Sequence, residues 1–260
     1  MGKKWRNPPV FYTLTQTKFN PITQLEEYIP KLQDKLRRSG YPDFKPGKKI
    51  EITVNKSDGT EPDIRSQPVS GWSFANAERT EGYILHSDAL IYHSTKYEDF
   101  KDFLQKAQKG LELVHEAVNL AYVERIGLRY LDVIVPQEDD SLEDYINPSL
   151  LGMSANIQDG LTHSFSETAA QINGGTLIAR AVVTEGGLAM PPDLFPMQLA
   201  MPARLNSIVG RTVVMDTDYF VKGRSDFDLG SVETQLTESH KIIGEVFKKA
   251  ITKHAIKVWE

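Results

Sequence analysis

The two halves of the 260-residue chain contain similar segments in the same order. A strand followed by QLEEYIP (24–30) in the first half corresponds to a strand followed by SLEDYINP (141–148) in the second. Each half then closes with a long amphipathic pattern. The same spacing of apolar residues and a histidine recurs in both patterns: Leu111, His115 and Val118, then Leu236, His240 and Ile243. We interpret this order as an internal duplication, with chance agreement between two amphipathic helices as the alternative.

The duplication predicts a single α+β domain over residues 1–260, built from two β-α-β-β(-β)-α halves at about 8–119 and 120–255. Residue patterns predict a mostly antiparallel sheet with the long helices on one face. Residues 56–70 are polar and predict a loop, and Thr23 and Glu26 predict a capping box. The expected strands are 10–19, 49–55, 72–76, 81–86, 89–94, 121–135, 163–171, 176–184 and 211–221, and the expected helices are 23–38, 98–118, 142–146 and 231–253.

Composition limits the classes of function. With a formal net charge of −5, the chain has no overall positive field of the kind that nucleic-acid-binding proteins have, so no nucleic-acid partner is expected. The absence of cysteine excludes disulfides, thiol nucleophiles and cysteine metal sites. No apolar run reaches the roughly 20 residues that cross a bilayer, and the first residues do not resemble a signal peptide. We therefore expect a cytoplasmic protein without membrane contact.

The strand sequence RIGLRYLDV (125–133) carries two arginines on one face. Arg125 and Arg129 are four residues apart, and only Gly127 lies between them on that face. A buried guanidinium needs an acceptor, so carboxylates of neighbouring strands are the expected partners. The alternative is a surface that binds a phosphate, a carboxylate or an acidic partner. Arg180 and Arg211, on other strands of the second half, complete this candidate anion-binding set.

Residues 184–210 lack periodicity and contain four prolines and three methionines. A non-periodic segment of this length inside a domain is uncommon and often functional. Methionine adapts to irregular apolar surfaces, which suits either a flap over the sheet or a contact with a protein partner. The candidate partner-binding residues are Met190, Leu194, Phe195, Met197 and Met201.

Other polar groups have two interpretations each. His115 and His240 could form a paired metal or proton-transfer site, but half-buried histidines bonded to strand carbonyls are favoured. Asp216 and Asp218 share a strand face and could bind Mg²⁺ or act as acid and base, but a solvated face or an arginine partner is favoured. Phosphate-loop and nucleophile-elbow motifs are absent, so no catalytic residue, metal site or cofactor is predicted.

Three stretches resemble a sporadically distributed bacterial family with no established activity: PPVFYTLTQTKFNPI (8–22), VERIGLRYLDVI (123–134) and ESHKIIGEVFKKAIT (238–252). Such a distribution suggests genes that travel with mobile elements. The expected function is a non-catalytic, protein-binding accessory component, antitoxin-like or associated with phage defence, with a homodimer as another form of partner. The alternative is an enzyme or binder that acts on a small anionic ligand through an arginine-lined sheet surface.

Overall fold

The computed structural model describes residues 5–55, 63–157, 159–195 and 197–260. Its strands are β1 Val10–Phe19, β2 Asp43–Asn55, β3 Asp63–Ala75, β4 Glu81–His86, β5 Ala89–Ser94, β6 Tyr122–Ile134, β7 His163–Ile172, β8 Gly175–Glu185 and β9 Arg211–Asp226. Its α-helices are α1 Leu25–Arg38, α2 Phe100–Val118, α3 Leu142–Tyr145, α4 Leu229–Ala250 and α5 Lys253–Trp259. Short 3₁₀ helices cover Pro148–Leu150, Gly152–Asn156, Pro192–Leu194 and Ala203–Leu205.

The nine strands form one sheet in the order β2-β3-β4-β5-β1-β6-β9-β8-β7, and every neighbouring pair is antiparallel. The predicted α+β class and mostly antiparallel sheet are therefore confirmed. The halves meet where β1 pairs with β6. Outward from this pair, the first half contributes β5, β4, β3 and β2, and the second contributes β9, β8 and β7.

The main core lies between the sheet and the long helices. Leu128 of β6 and Tyr219 of β9 are fully buried there with Leu111 of α2 and Leu236 of α4. Side chains alternate along a strand, so the strand residues next to Leu128 and Tyr219 point to the opposite face of the sheet. On that face, residues 188–195 and 197–205, called the cover segment below, pack on a second apolar layer that includes Leu131. The sheet thus has helices on one face and the cover segment on the other.

Local signals account for both ends of α2 and for the turn between β7 and β8. Asp99 accepts a hydrogen bond from Asp102 N–H and begins α2, which ends at Asn119 in the left-handed conformation. The β7–β8 hairpin turns through Asn173 and Gly174, with φ of 48° and 78°. Positive φ at both central residues gives the turn type that matches strand twist.

Several predictions of local structure were wrong. Residues 63–70 belong to β3 rather than to a loop, while residues 56–62 of that predicted loop lie outside the described residues. The helix α1 begins at Leu25, and no side chain caps it, so the predicted capping box of Thr23 and Glu26 does not form. The helix α5 was not predicted. None of the described helices is long and apolar enough to cross a membrane.

Candidate functional site

Arg129 lies on the sheet face beneath the cover segment and is almost fully buried. Its Nε donates to Oδ1 of Asp216 at 2.6 Å, and its Nη2 donates to Oδ2 at 2.7 Å. Asp216 lies on the neighbouring strand β9, and its side chain is 1% exposed. Two parallel, charge-assisted hydrogen bonds fix the guanidinium in position.

The other edge of the same guanidinium is bound by the cover segment. Nη1 of Arg129 donates to Oδ2 of Asp193 at 2.5 Å, and Nη2 donates to Oδ1 at 3.3 Å. The Asp193 side chain is 62% exposed, unlike that of Asp216. Burial alone would lower the pKa of Arg129, but the bonds to Asp216 and Asp193 raise it well above the usual value. The pKa of Asp193 is lowered because Arg129 outweighs its partial burial, so both groups stay charged.

Arg125 is held in a different way, and Gly127 makes this possible. A Cβ on Gly127 would lie 2.7 Å from Nη1 of Arg125, so the guanidinium lies directly over the glycine. From there Nη1 donates to Gln16 Oε1 at 2.7 Å, and the guanidinium carbon lies 4.3 Å from the ring centre of Phe220. Asp218 is the nearest carboxylate, at 3.7 Å. Burial lowers the pKa of Arg125 and Asp218 counteracts this, whereas burial raises the pKa of Asp218.

Arg180 joins this group, and Arg211 does not. Arg180 on β8 donates from Nη1 to Asp216 Oδ2 at 3.1 Å and from Nε to Glu167 Oε2 at 2.6 Å. Arg211 instead binds Glu185 at 3.2 Å and the carbonyls of two residues that precede β7. Arg129 and Arg180 therefore share Asp216 in one network, whereas Arg125 lies on the same face and is held by separate partners. Their partners are carboxylates, an amide and an aromatic ring.

A groove of about 300 Å³ lies beside this network. Its floor is apolar and comes from β1, β4 and β5, with Leu14, Ile84 and Ile91 among its lining residues. The cover segment forms one side with Asp193 and Phe195, and β2 and β3 contribute to the other side. The site is thus a concave apolar surface with a few polar groups, the usual character of a ligand-binding cleft.

A neutral polar pair lies at the arginine end of the groove. The hydroxyl of Tyr12, which lines the groove, is 2.7 Å from Nδ1 of His93, and both residues are buried. Burial lowers the pKa of His93 to about 3 and raises that of Tyr12. Both groups are therefore uncharged at neutral pH, so Arg129 and Asp193 dominate the local electrostatics.

The candidate partner-binding residues divide into two groups. Met190, Leu194, Met197 and Met201 are partly buried against the apolar layer on the sheet. Phe195 points outward instead and is 58% exposed at the rim of the groove. The cover segment therefore covers the sheet with most of its apolar side chains and presents one aromatic ring to solvent.

The two helix histidines each stack on a phenylalanine. His115 of α2 stacks on Phe227, just before α4, at 4.4 Å between ring centres. His240 of α4 stacks on Phe100, the first residue of α2, at 4.1 Å. Nδ1 of His240 is 3.1 Å from the Tyr130 hydroxyl, and burial lowers the pKa of His240. No cluster of three metal-binding side chains occurs within the described part of the chain.

Asp193 and the Tyr12–His93 pair were not identified from the sequence. Asp193 follows two prolines in a segment without periodicity, and its partner Arg129 lies 64 residues away. Asp193 is the one acidic residue of the cover segment, and this was the available signal. No model of a known protein family matches the chain, and no curated protein is significantly similar to it.

Proposed function

We propose that the protein is a binding component that engages a protein partner through the groove and Phe195. The observation that carries this proposal is the exposure of Phe195, at 58%, on the rim of a cavity of about 300 Å³. Exposed aromatic side chains beside apolar pockets are common anchors of protein interfaces. The apolar floor can accept a side chain of the partner while Phe195 packs against its surface.

The cover segment is anchored in a way that suits such an interface. Ala200 N–H donates to the Arg79 carbonyl at 2.7 Å, and Thr95 Oγ1 donates to the Ala200 carbonyl at 2.8 Å. Nη2 of Arg79 also donates to the Gln198 carbonyl at 2.7 Å. A surface that is already ordered loses little conformational entropy on binding, which favours affinity.

The test compares Phe195→Ala with Phe165→Ala. Phe165 lies on β7 and is 57% exposed, so the control removes an equally exposed ring at another place. Quantitative mass spectrometry of proteins co-purified from native cells should show a partner that the wild type and Phe165→Ala recover and Phe195→Ala loses. Recovery that is unaffected by Phe195→Ala, or reduced equally by both changes, contradicts the proposal. Matching thermal transitions of the variants would show that both are folded.

An antitoxin-like or phage-defence role is the narrower form of this proposal. Its support is the resemblance of the three sequence stretches to a sporadically distributed family. A second form of partner is another copy of the chain. The outer edge of β7 makes no backbone hydrogen bond to another described residue, and its sequence HSFSETAAQI lacks lysine and proline. Such an edge can pair with a second strand.

Light scattering at increasing concentration tests the homodimer. Thr168 is exposed near the middle of β7, and proline there would disrupt an added ladder of hydrogen bonds. Thr168→Val keeps the strand and is the matched control. A dimer in the wild type and in Thr168→Val, but not in Thr168→Pro, supports pairing through β7. A wild type that stays monomeric at high concentration contradicts it.

We also propose that the two halves descend from one duplicated β-α-β-β(-β)-α unit. Two observations support this idea. The strands follow corresponding orders outward from β1 and β6, and each long helix places its histidine on a phenylalanine at the start of the other long helix. A twofold relation between the halves would produce both arrangements.

A further inference from the structure

We propose that the groove binds a carboxylate attached to an apolar body, and that Asp193 occupies the place of this carboxylate in the free protein. The inference rests on the proposed function in using the same groove, and it adds the chemistry of the ligand. Arg129 is the residue that would bind the carboxylate. The apolar body would lie on Leu14 and Ile91, which line the groove.

The two edges of the Arg129 guanidinium have partners of different character. Asp216 belongs to a central strand and is buried, so it holds the Nε–Nη2 edge permanently. Asp193 holds the Nη1–Nη2 edge, belongs to a one-turn 3₁₀ helix and is 62% exposed. An exposed ion-pair partner competes with water and is held much more weakly than a buried one. The Nη1–Nη2 edge is therefore the one that a ligand can take.

The groove leads to this edge. Asp193 lines the groove, and so does Leu14, the residue of β1 that is in register with Arg129. Because the carboxylate of Asp193 lies directly on the guanidinium, displacing it brings Arg129 into contact with the groove. The guanidinium is also held in the orientation that a planar carboxylate requires, which reduces the ordering that binding must impose.

The surrounding charges favour a carboxylate over a phosphate. Asp216 and Asp218 lie on the same side of the sheet, and Glu167 binds Arg180 next to them. Exchanging Asp193 for another carboxylate leaves the net charge of this network unchanged. Arg125, Arg129 and Arg180 balance these three carboxylates, so a dianionic phosphate would bring one more uncompensated negative charge than a carboxylate does.

The test uses Asp193→Ala with octanoate and octanamide as probes in isothermal titration calorimetry. Octanamide has the same apolar body without the charge. We expect Asp193→Ala to bind octanoate at least tenfold more tightly than octanamide and more tightly than the wild type does. Glu185→Ala removes the exposed carboxylate from Arg211, which lies outside this network, and is the matched control, which should bind octanoate as the wild type does.

Equal affinities of Asp193→Ala for octanoate and octanamide, or no saturable binding of octanoate, overturn the inference. A shift of the Arg129 Nε–H resonance on addition of octanoate would locate the contact without a change at Arg129 itself. An N-acetylated apolar tripeptide with a free or an amidated C-terminus distinguishes a peptide terminus from a small acid as the source of the carboxylate. Preference for the free terminus assigns the site to a peptide end. Preference for octanoate with no binding of either peptide assigns it to a small acid.

The two proposals can fail separately. Loss of a protein partner depends on Phe195, whereas discrimination between octanoate and octanamide depends on Asp193 and Arg129. If Phe195→Ala leaves partner recovery unchanged while Asp193→Ala still binds octanoate more tightly than octanamide, the proposed function is contradicted and the carboxylate site is supported.

Discussion

Arg129 and Asp216 form an ion pair in which both carboxylate oxygens accept from one guanidinium, at 2.6 and 2.7 Å. Both side chains are buried, and they come from neighbouring strands near the centre of the sheet. A buried pair of this kind contributes little beyond what an apolar pair would, but removing one member leaves a buried charge without a partner. The pair therefore makes the sheet sensitive to changes at either residue.

Arg129→Ala should lower the free energy of unfolding by about 3–5 kcal/mol, because Asp216 would remain buried with less compensation. The matched control is Arg224→Ala. Arg224 binds Glu124 at 2.5 Å, but the two side chains are 64% and 41% exposed, so its loss should cost at most about 1 kcal/mol. Urea denaturation followed by circular dichroism measures both values. Similar decreases in the free energy of unfolding of the two variants would show that burial of the ion pair does not determine the effect.

Gly110→Ala and Gly244→Ala should have opposite effects on stability. Both glycines lie inside long helices, where alanine is favoured by up to about 1 kcal/mol. A Cβ on Gly110 would lie 2.2 Å from the ring of Tyr83, whereas a Cβ on Gly244 would meet nothing within 4 Å. Tyr83 is buried and its hydroxyl donates to the Lys106 carbonyl, so the ring cannot easily move. We expect Gly110→Ala to destabilise by about 1–3 kcal/mol and Gly244→Ala to stabilise.

The sign of each change in thermal unfolding midpoint tests this pair of predictions. A Gly110→Ala protein as stable as the wild type would mean that the Tyr83 ring and α2 separate at little cost.

The stability of the protein should depend on pH through Asp132. This side chain is 7% exposed, and burial raises its pKa to about 7, with a smaller opposing effect from Arg204. Between about pH 4 and 7 the folded protein keeps a proton that the unfolded chain releases, so stability falls as pH rises through this range. The slope contributed by one such group is at most about 1.4 kcal/mol per pH unit.

Asp132→Asn should remove this contribution. Denaturation curves between pH 4 and 8 would then show a difference in stability between variant and wild type that grows with pH and levels off above about pH 7. A difference that does not vary with pH would mean that Asp132 is ionised in the folded protein throughout the range.

Gly174→Ala should destabilise the β7–β8 hairpin by about 1–2 kcal/mol, because the φ of 78° at this position is unfavourable for a residue with a side chain. Gly223→Ala on β9 is the control, since a Cβ there meets nothing within 4 Å and the backbone is not left-handed. Amide hydrogen exchange should show faster opening of β7 and β8 in Gly174→Ala alone. Unchanged exchange would indicate that the turn adapts.

Much of the sheet could be predicted because its strands alternate and its hairpins have strong turn residues. Alternation also placed Asp216 and Asp218 on one face, and a solvated face or an arginine partner was favoured. Asp216 has the arginine partner, but it is buried rather than solvated. The first part of β3, residues 63–70, was mistaken for a loop because it contains polar residues and Pro68. These residues pair with β2, which lies at the edge of the sheet, and the local sequence pattern does not indicate such a pairing.

The groove and Asp193 could not be predicted, because both depend on where a segment without periodicity lies on the sheet. The apolar residues of the cover segment were compatible with a flap over the sheet or with an interface to a partner. Four of the five candidates are partly buried against the sheet, as a flap would place them: Met190, Leu194, Met197 and Met201. Phe195 has the same apolar character as those residues, yet it directly follows the 3₁₀ helix Pro192–Leu194 and is exposed. Sequence pattern alone does not fix such a direction.

The pairing of β1 with β6 has a consequence for synthesis on the ribosome. β1 lies between β5 and β6, so after the first half is made, one edge of β1 stays open until residues 122–134 emerge. The core on the helix face also needs Val232 and Leu236 of α4. Contacts between residues far apart in sequence form slowly. At roughly 5–20 residues per second of synthesis, the nascent first half should therefore expose an unpaired central strand for about a second or longer.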